Sequence, residues 1–133
     1  MKPPKPVVKR GSLNPMVVAF DIDDTISRHP QFFAFLTQTL KAAGHKVLII
    51  TFREDRLATE SDLRGWGIAW TTLITSTLDA CLETGVDEWK SSECRKAGVD
   101  VFFEDDPNVL KHIDPATVCL QPYLPPGSDA EKT

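Results

Sequence analysis

Short apolar runs alternate with amphipathic stretches along most of this chain. The runs at about 16–21, 46–51, 69–74, 100–103 and 117–120 are rich in Val, Ile, Leu and Phe. Unbroken apolar runs of this length read as strands buried on both faces. Between the first two runs, Phe33, Leu36, Leu40 and Ala43 recur at helical spacing after His29-Pro30. Pro at the first turn starts a helix, and Gly44 stops it. A second helix is expected over about 54–64, ended by Gly65-Trp66-Gly67. Asp87 is a candidate cap for a helix over 88–97, closed by Gly98. A short helix follows Pro107 to about His112, with Asp106 as its N-cap. Residues 75–86 carry no clear period and read as a loop or a short irregular helix. Strands alternating with helices imply a parallel sheet covered on both faces, with right-handed crossovers.

Two of the runs end in acids. Val17-Val18-Ala19-Phe20 stops at Asp21-Ile22-Asp23-Asp24-Thr25, and Val101-Phe102-Phe103 stops at Glu104-Asp105-Asp106-Pro107. Two carboxylates about 4 Å apart repel by roughly 4 kcal/mol at an effective dielectric of about 20. If the two strands are neighbours, a cation is needed between the clusters. Oxygen-only ligands favour a hard ion such as Mg²⁺. In open α/β sheets, ligands bind beyond the carboxyl ends of the strands where strand order reverses.

Asp21-x-Asp23-x-Thr25 after an apolar strand resembles the first motif of the haloacid dehalogenase superfamily of phosphotransferases. The other three motifs of that family have counterparts in order. Thr51 ends the second run, Lys90 lies on the helix before the fourth, and Glu104-Asp105 ends the fourth. The resemblance spans about residues 16–121 and implies a three-layer α/β/α Rossmann-like, doubly wound parallel sheet with strand order 3-2-1-4-5. It also implies a Mg²⁺-dependent phosphatase acting on a phosphate monoester. Asp21 would be the nucleophile, forming an aspartyl-phosphate, and Asp23 the general acid and base. Asp21, the backbone carbonyl of Asp23, Glu104 and Asp105 would hold Mg²⁺. Thr51 and Lys90 would bind the phosphoryl oxygens, since the protein's part in phosphoryl transfer is positioning and charge neutralisation. Arg53, in Thr51-x-Arg53, is either a substrate contact or a solvated residue at a helix end; His29, just after the nucleophile loop, is a further candidate at the rim. Asp24 stands where many members of the family have Gly. Neither interval in which the family inserts a lid is long enough here for one, so a capless, open site is expected. Such a site suits phosphate on a large or macromolecular ligand, including a 3′-phosphorylated polynucleotide or a nucleotide, and an oligomeric partner is a possible lid.

Two other classes stay in view. A phospho-accepting receiver module also sets acids and a Lys on a doubly wound sheet, but it expects its acidic pair after the first strand and its phosphorylated Asp after the third, whereas here Asp21 and Asp23 flank a residue and the second acidic pair follows the fourth strand. A catalytically idle scaffold of the same fold is the other.

Composition narrows the setting. The chain has 133 residues, 41% of them hydrophobic and 26% charged, which fits one ordinary domain. The net charge of −4 conceals +4 on residues 1–15, from Lys2, Lys5, Lys9 and Arg10, and −8 on the rest. With Pro3, Pro4, Pro6 and Pro15, this basic stretch is expected to be a disordered tail. The catalytic domain is placed at 16–121 and a C-terminal tail at 122–133. The acidic body disfavours broad nucleic-acid binding, so nucleic acid enters only as a substrate. Three cysteines without Cys-x-x-Cys argue against a disulfide framework or a zinc site. No apolar run approaches a bilayer span, and no signal-peptide core is evident, so a cytoplasmic location without membrane partners is expected.

Overall fold

In a computed structural model of the chain, residues 14–123 and Pro125 are described. The proposed tails at 1–15 and 122–133 fall largely outside those residues. Five strands form one parallel sheet: β1 (Val17–Phe20), β2 (Lys46–Thr51), β3 (Thr72–Thr75), β4 (Val101–Phe103) and β5 (Val118–Leu120). Their order is β3-β2-β1-β4-β5, with every pairing parallel. The helices are α1 (Pro30–Ala42), α2 (Arg56–Gly65), α3 (Leu78–Thr84), α4 (Val86–Ala97) and α5 (Pro107–Leu110).

Strand alternation divides the core into two. Val18, Phe20, Val47 and Ile49 face Phe33 of α1, Leu63 of α2 and the buried Ile68. Ala19, Leu48, Ile50 and Phe102 face Cys81 of α3, Trp89 and Cys94 of α4, and Val109 of α5. Neighbouring side chains of one strand thus point to opposite faces, and helices cover both. Among the described residues, this is the expected three-layer, Rossmann-like sheet with no cap domain. Phe20 stacks on Phe103 with centroids 5.0 Å apart, and Phe33 meets both rings edge-on. That aromatic block lies directly behind the two acidic strand ends. Each fully buried side chain of this size contributes about 1.5–3 kcal/mol.

Several boundaries differ from expectation. The third strand begins at Thr72, not near 69. Ala69 N–H donates to Thr37 Oγ1 and Thr71 N–H to the Val47 carbonyl, so this stretch is tied down before it enters the sheet. Residues 78–84 form a regular helix, capped by Thr77, whose Oγ1 accepts from Ala80 N–H. Its apolar residues Leu78 and Leu82 are exposed and only Cys81 is buried, so no apolar stripe marks it in the sequence. Asp87 is not the cap of α4. Gly85 holds that position with φ +102°, a conformation that side-chain-bearing residues rarely adopt, and Asp87 lies inside the first turn. The expected stripe on α1 is partly wrong: Phe33 is buried, Leu36 and Leu40 are half-buried, and Ala43 lies exposed beyond the helix end. Among the described residues, no helix is long and apolar enough to cross a membrane.

Candidate active site

The central pairing of β1 with β4 decides where the acids meet. The register sets Phe20 beside Phe103, and Asp21 N–H donates to the Phe103 carbonyl at 2.9 Å. The residues that follow therefore leave the sheet together. One ligand oxygen each from Asp21, Glu104 and Asp105 lies within 4.8 Å of the others. Asp21 and Glu104 are buried, and Asp105 is half-buried.

A lysine enters this acidic cluster from α4. Lys90 Nζ donates to Asp21 Oδ1 at 2.6 Å and to Glu104 Oε1 at 2.7 Å. Its ammonium also lies 4.6 Å from the centre of the Phe52 ring, which itself packs on Trp89. Glu104 Oε2 accepts from Asp106 N–H at 3.1 Å. Asp106 caps α5 through Asn108 N–H, with Pro107 in the first turn, as its sequence context suggested. The Thr25 hydroxyl is 3.1 Å from Asp105 Oδ1 and 3.3 Å from Asp21 Oδ2. With one proton to give, it can donate to only one of them at a time.

Burial sets the protonation of this cluster. Desolvation pushes the Asp21 carboxyl up to about 9, against the pull of Lys90 and with a further push from Glu104. Glu104 is raised too, first by burial, with Lys90 opposing. Burial is also the largest influence on Lys90 and acts to lower it, but Asp21 and Glu104 together outweigh it and leave the amine raised. The ammonium is therefore retained, and with no other cation present the two buried carboxylates hold on to a proton. Three ionised carboxylates and one ammonium would leave two negative charges in a half-closed space. A divalent cation with oxygen ligands matches that charge and donor chemistry. Asp21, Glu104 and Asp105 are the side chains able to hold it.

The loop after Asp21 sets Asp23 apart from Asp21. Ile22–Ile26 form a wide turn closed by Ser27 N–H on the Ile22 carbonyl, interrupted by extended backbone at Asp23. Asp24 follows with φ 63°, the left-handed region in which glycine is least strained and Asp among the better tolerated alternatives. This explains physically why Gly suits that place. Asp23 is exposed, and its carboxylate is gripped by Arg53: Nε to Oδ2 at 3.1 Å and Nη2 to Oδ1 at 2.8 Å. Arg53 Nη1 donates to Asp62 Oδ2 of α2 at 2.7 Å, and its guanidinium carbon lies 5.9 Å from the Trp66 ring centre. The guanidinium pKa is raised, first by the hydrogen bond to Asp23.

Asp21, Asp23, Phe52, Lys90, Glu104 and Asp105 line an open cleft of about 170 Å³, with Asp106 at its edge. Thr51 ends β2 fully buried, its hydroxyl accepting from Arg53 N–H at 3.1 Å. His29 does not line the cleft. It precedes α1, and with Phe32, Phe103 and Leu120 it borders a separate apolar groove. Phe52 and Asp62 were missed in the sequence. Phe52 sits between two candidates in Thr51-Phe52-Arg53, but Asp62 is one of two acids on a polar helix and nothing local marks it. No family model, curated protein or solved structure matches this chain.

Proposed function

We propose that the protein is a capless phosphatase of the haloacid dehalogenase type, dependent on Mg²⁺ and acting on phosphate monoesters. The observation that carries the reading is the meeting of Asp21 with Glu104 and Asp105 at the ends of β1 and β4, with Lys90 Nζ between two of them. A buried lysine with three carboxylates at the carboxyl end of a parallel sheet is costly to fold and suited to an anion brought in with a divalent cation.

The steps follow from the residues. An oxygen of Asp21 attacks phosphorus, and the bond from phosphorus to the ester oxygen breaks. The departing alkoxide takes its proton from Asp23, which enters the step protonated on one of the two oxygens that Arg53 otherwise engages. The ionised Asp23 then takes a proton from water as the water oxygen attacks phosphorus. The bond between phosphorus and Asp21 breaks, and phosphate leaves with both carboxyls restored. When bound, Mg²⁺ supplies charge neutralisation to the carboxylates and the phosphoryl group. Lys90, and Thr51 at the end of β2, are the residues for the phosphoryl oxygens. The open cleft and absent lid favour a phosphate on a larger ligand, whose remote contacts add transition-state binding.

The test is hydrolysis of para-nitrophenyl phosphate with and without Mg²⁺. Wild-type protein should turn over only with the metal, and folded Asp21→Asn should be inactive. A folded Asp21→Asn protein with wild-type turnover would sink the mechanism.

A further inference from the structure

We infer that Asp62 is a positioning residue for the site: it holds the Arg53 guanidinium so that Arg53 fixes the Asp23 carboxylate at the cleft, and Arg53 is thereby committed to Asp23 rather than to substrate. This rests on the reading of Asp23 as the acid and base.

The geometry runs in one chain. Asp62 is on α2, on the far side of Arg53 from Asp23, and among the described residues no hydrogen bond joins it to the cleft residues except through Arg53. Arg53 offers five N–H donors in a rigid fork. Nε and Nη2 take both oxygens of Asp23, the paired geometry that fixes direction as well as distance. Nη1 takes Asp62. Trp66 lies against the guanidinium face. The backbone of Arg53 is fixed as well, since its N–H donates to the buried Thr51 hydroxyl. The guanidinium is thus held from several sides, and only one N–H on each terminal nitrogen is left over.

Asp23 needs such a brace. It stands in extended backbone, next to the left-handed Asp24, and its side chain is 61% exposed. A free aspartate in that setting would sample several rotamers. An acid and base must stand within hydrogen-bond reach of the proton it moves, and a displacement of about 1 Å can cost about 100-fold in rate. Stability does not account for the arrangement, because exposed ion pairs contribute only about 0–1 kcal/mol.

A double-mutant cycle with para-nitrophenyl phosphate and Mg²⁺ tests this. Arg53→Ala should lower kcat by about 10–100-fold with KM within about threefold. Asp62→Ala should lower kcat by about three- to tenfold, and the double variant should be no slower than Arg53→Ala alone. Arg53→Lys should fail to restore kcat, because an ammonium has no fork, while Asp62→Asn, which keeps an acceptor oxygen, should restore most of it. A substrate-binding Arg53 would instead raise KM at constant kcat and be indifferent to Asp62; either result overturns the proposal. A second readout does not depend on turnover. In NMR spectra of the full chain, the Arg53 Nε–H signal should be protected from exchange, and Asp62→Ala should both weaken that protection and move the Asp23 carboxyl carbon signal. If wild-type protein is inactive, the phosphatase reading fails while this measurement still decides the brace. Unchanged Arg53 and Asp23 signals in Asp62→Ala would overturn it outright.

Discussion

Two clusters at the carboxyl edge of the sheet each pair one cation with two acids, and their environments are opposite. Lys90 with Asp21 and Glu104 is almost wholly buried, at the lining of the open cleft. Arg53 with Asp23 and Asp62 stands half in water, the acids 61% and 51% exposed. Similar hydrogen-bond lengths therefore carry different energies. In the buried cluster, desolvation raises both carboxyls, the two acids outweigh it on Lys90 and raise the amine, and the loss of one partner is costly. In the exposed cluster, water screens the charges, and what remains is geometry. The first cluster suits a change of charge, as when a metal and an anion arrive. The second suits the aiming of one carboxylate.

The largest break in the comparison should come from Lys90→Met. It strands two buried carboxylates, and removal of one member of a buried pair costs about 3–5 kcal/mol. Urea unfolding without metal would measure it. Asp21→Asn should move the other way, raising metal-free stability slightly while abolishing turnover, because it removes one acid from an over-acidic cluster. If both variants lost equal stability, the charge imbalance argued for this site would be wrong.

Metal and pH come next. Without a divalent cation, Asp21 ionises near 3.8 in the unfolded chain and near 9 in the folded one. The folded state thus binds more protons between those values, so this contribution is complete below about pH 4 and is lost as pH rises toward about 9. Melting in chelator should weaken across that window, and Mg²⁺ should flatten the decline by taking the place of the proton. At about 100 times its Kd, Mg²⁺ would add about 2.7 kcal/mol. Glu104→Gln combined with Asp105→Asn should remove the metal's effect. A melting temperature indifferent to millimolar Mg²⁺ at neutral pH would count against the site.

The exposed cluster should barely register in stability. Arg53→Ala and Asp62→Ala should each fall within about 1 kcal/mol of wild type in chemical denaturation, whatever they do to kcat. A loss comparable to that of Lys90→Met would mean that the bridge is a structural staple. The loop between the clusters is a separate, local test. Asp24→Gly should change stability by no more than about 1 kcal/mol, in the stabilising direction if relief of the left-handed strain outweighs lost chain stiffness, and Asp24→Val should destabilise by about 1–2 kcal/mol. Thermal melts of the two would rank them; Val equal to Gly would deny the strain.

Much of this was legible because it depends on neighbours along the chain. The apolar runs, Pro30 and Pro107 at helix starts, Gly44 and Gly98 at helix ends and the Asp106 cap are local signals, and apart from the start of the third run each lies where expected. The two acidic strand ends were equally plain. Residues 78–84 were obscure because the helix buries little, so burial could not pattern its sequence. The late start of the third strand was hidden because the contacts that fix residues 69–71 ahead of it come from Thr37 and Val47, far away in sequence.

By itself, the sequence determined the alternation of strands and helices, the acids at the two strand ends and the residue types available for metal and phosphate. Only the tertiary structure decided which of them meet. The pairing of β1 with β4 brings Asp21 to Glu104 and Asp105, and α4 carries Lys90 in from a distant part of the chain. It also placed Asp62 behind Arg53, Arg53 on Asp23, and His29 beside a different groove. The reason is physical. Propensity, capping and periodicity act within a few residues of chain, whereas desolvation and hydrogen-bond direction depend on what the packed layers bring within a few ångströms.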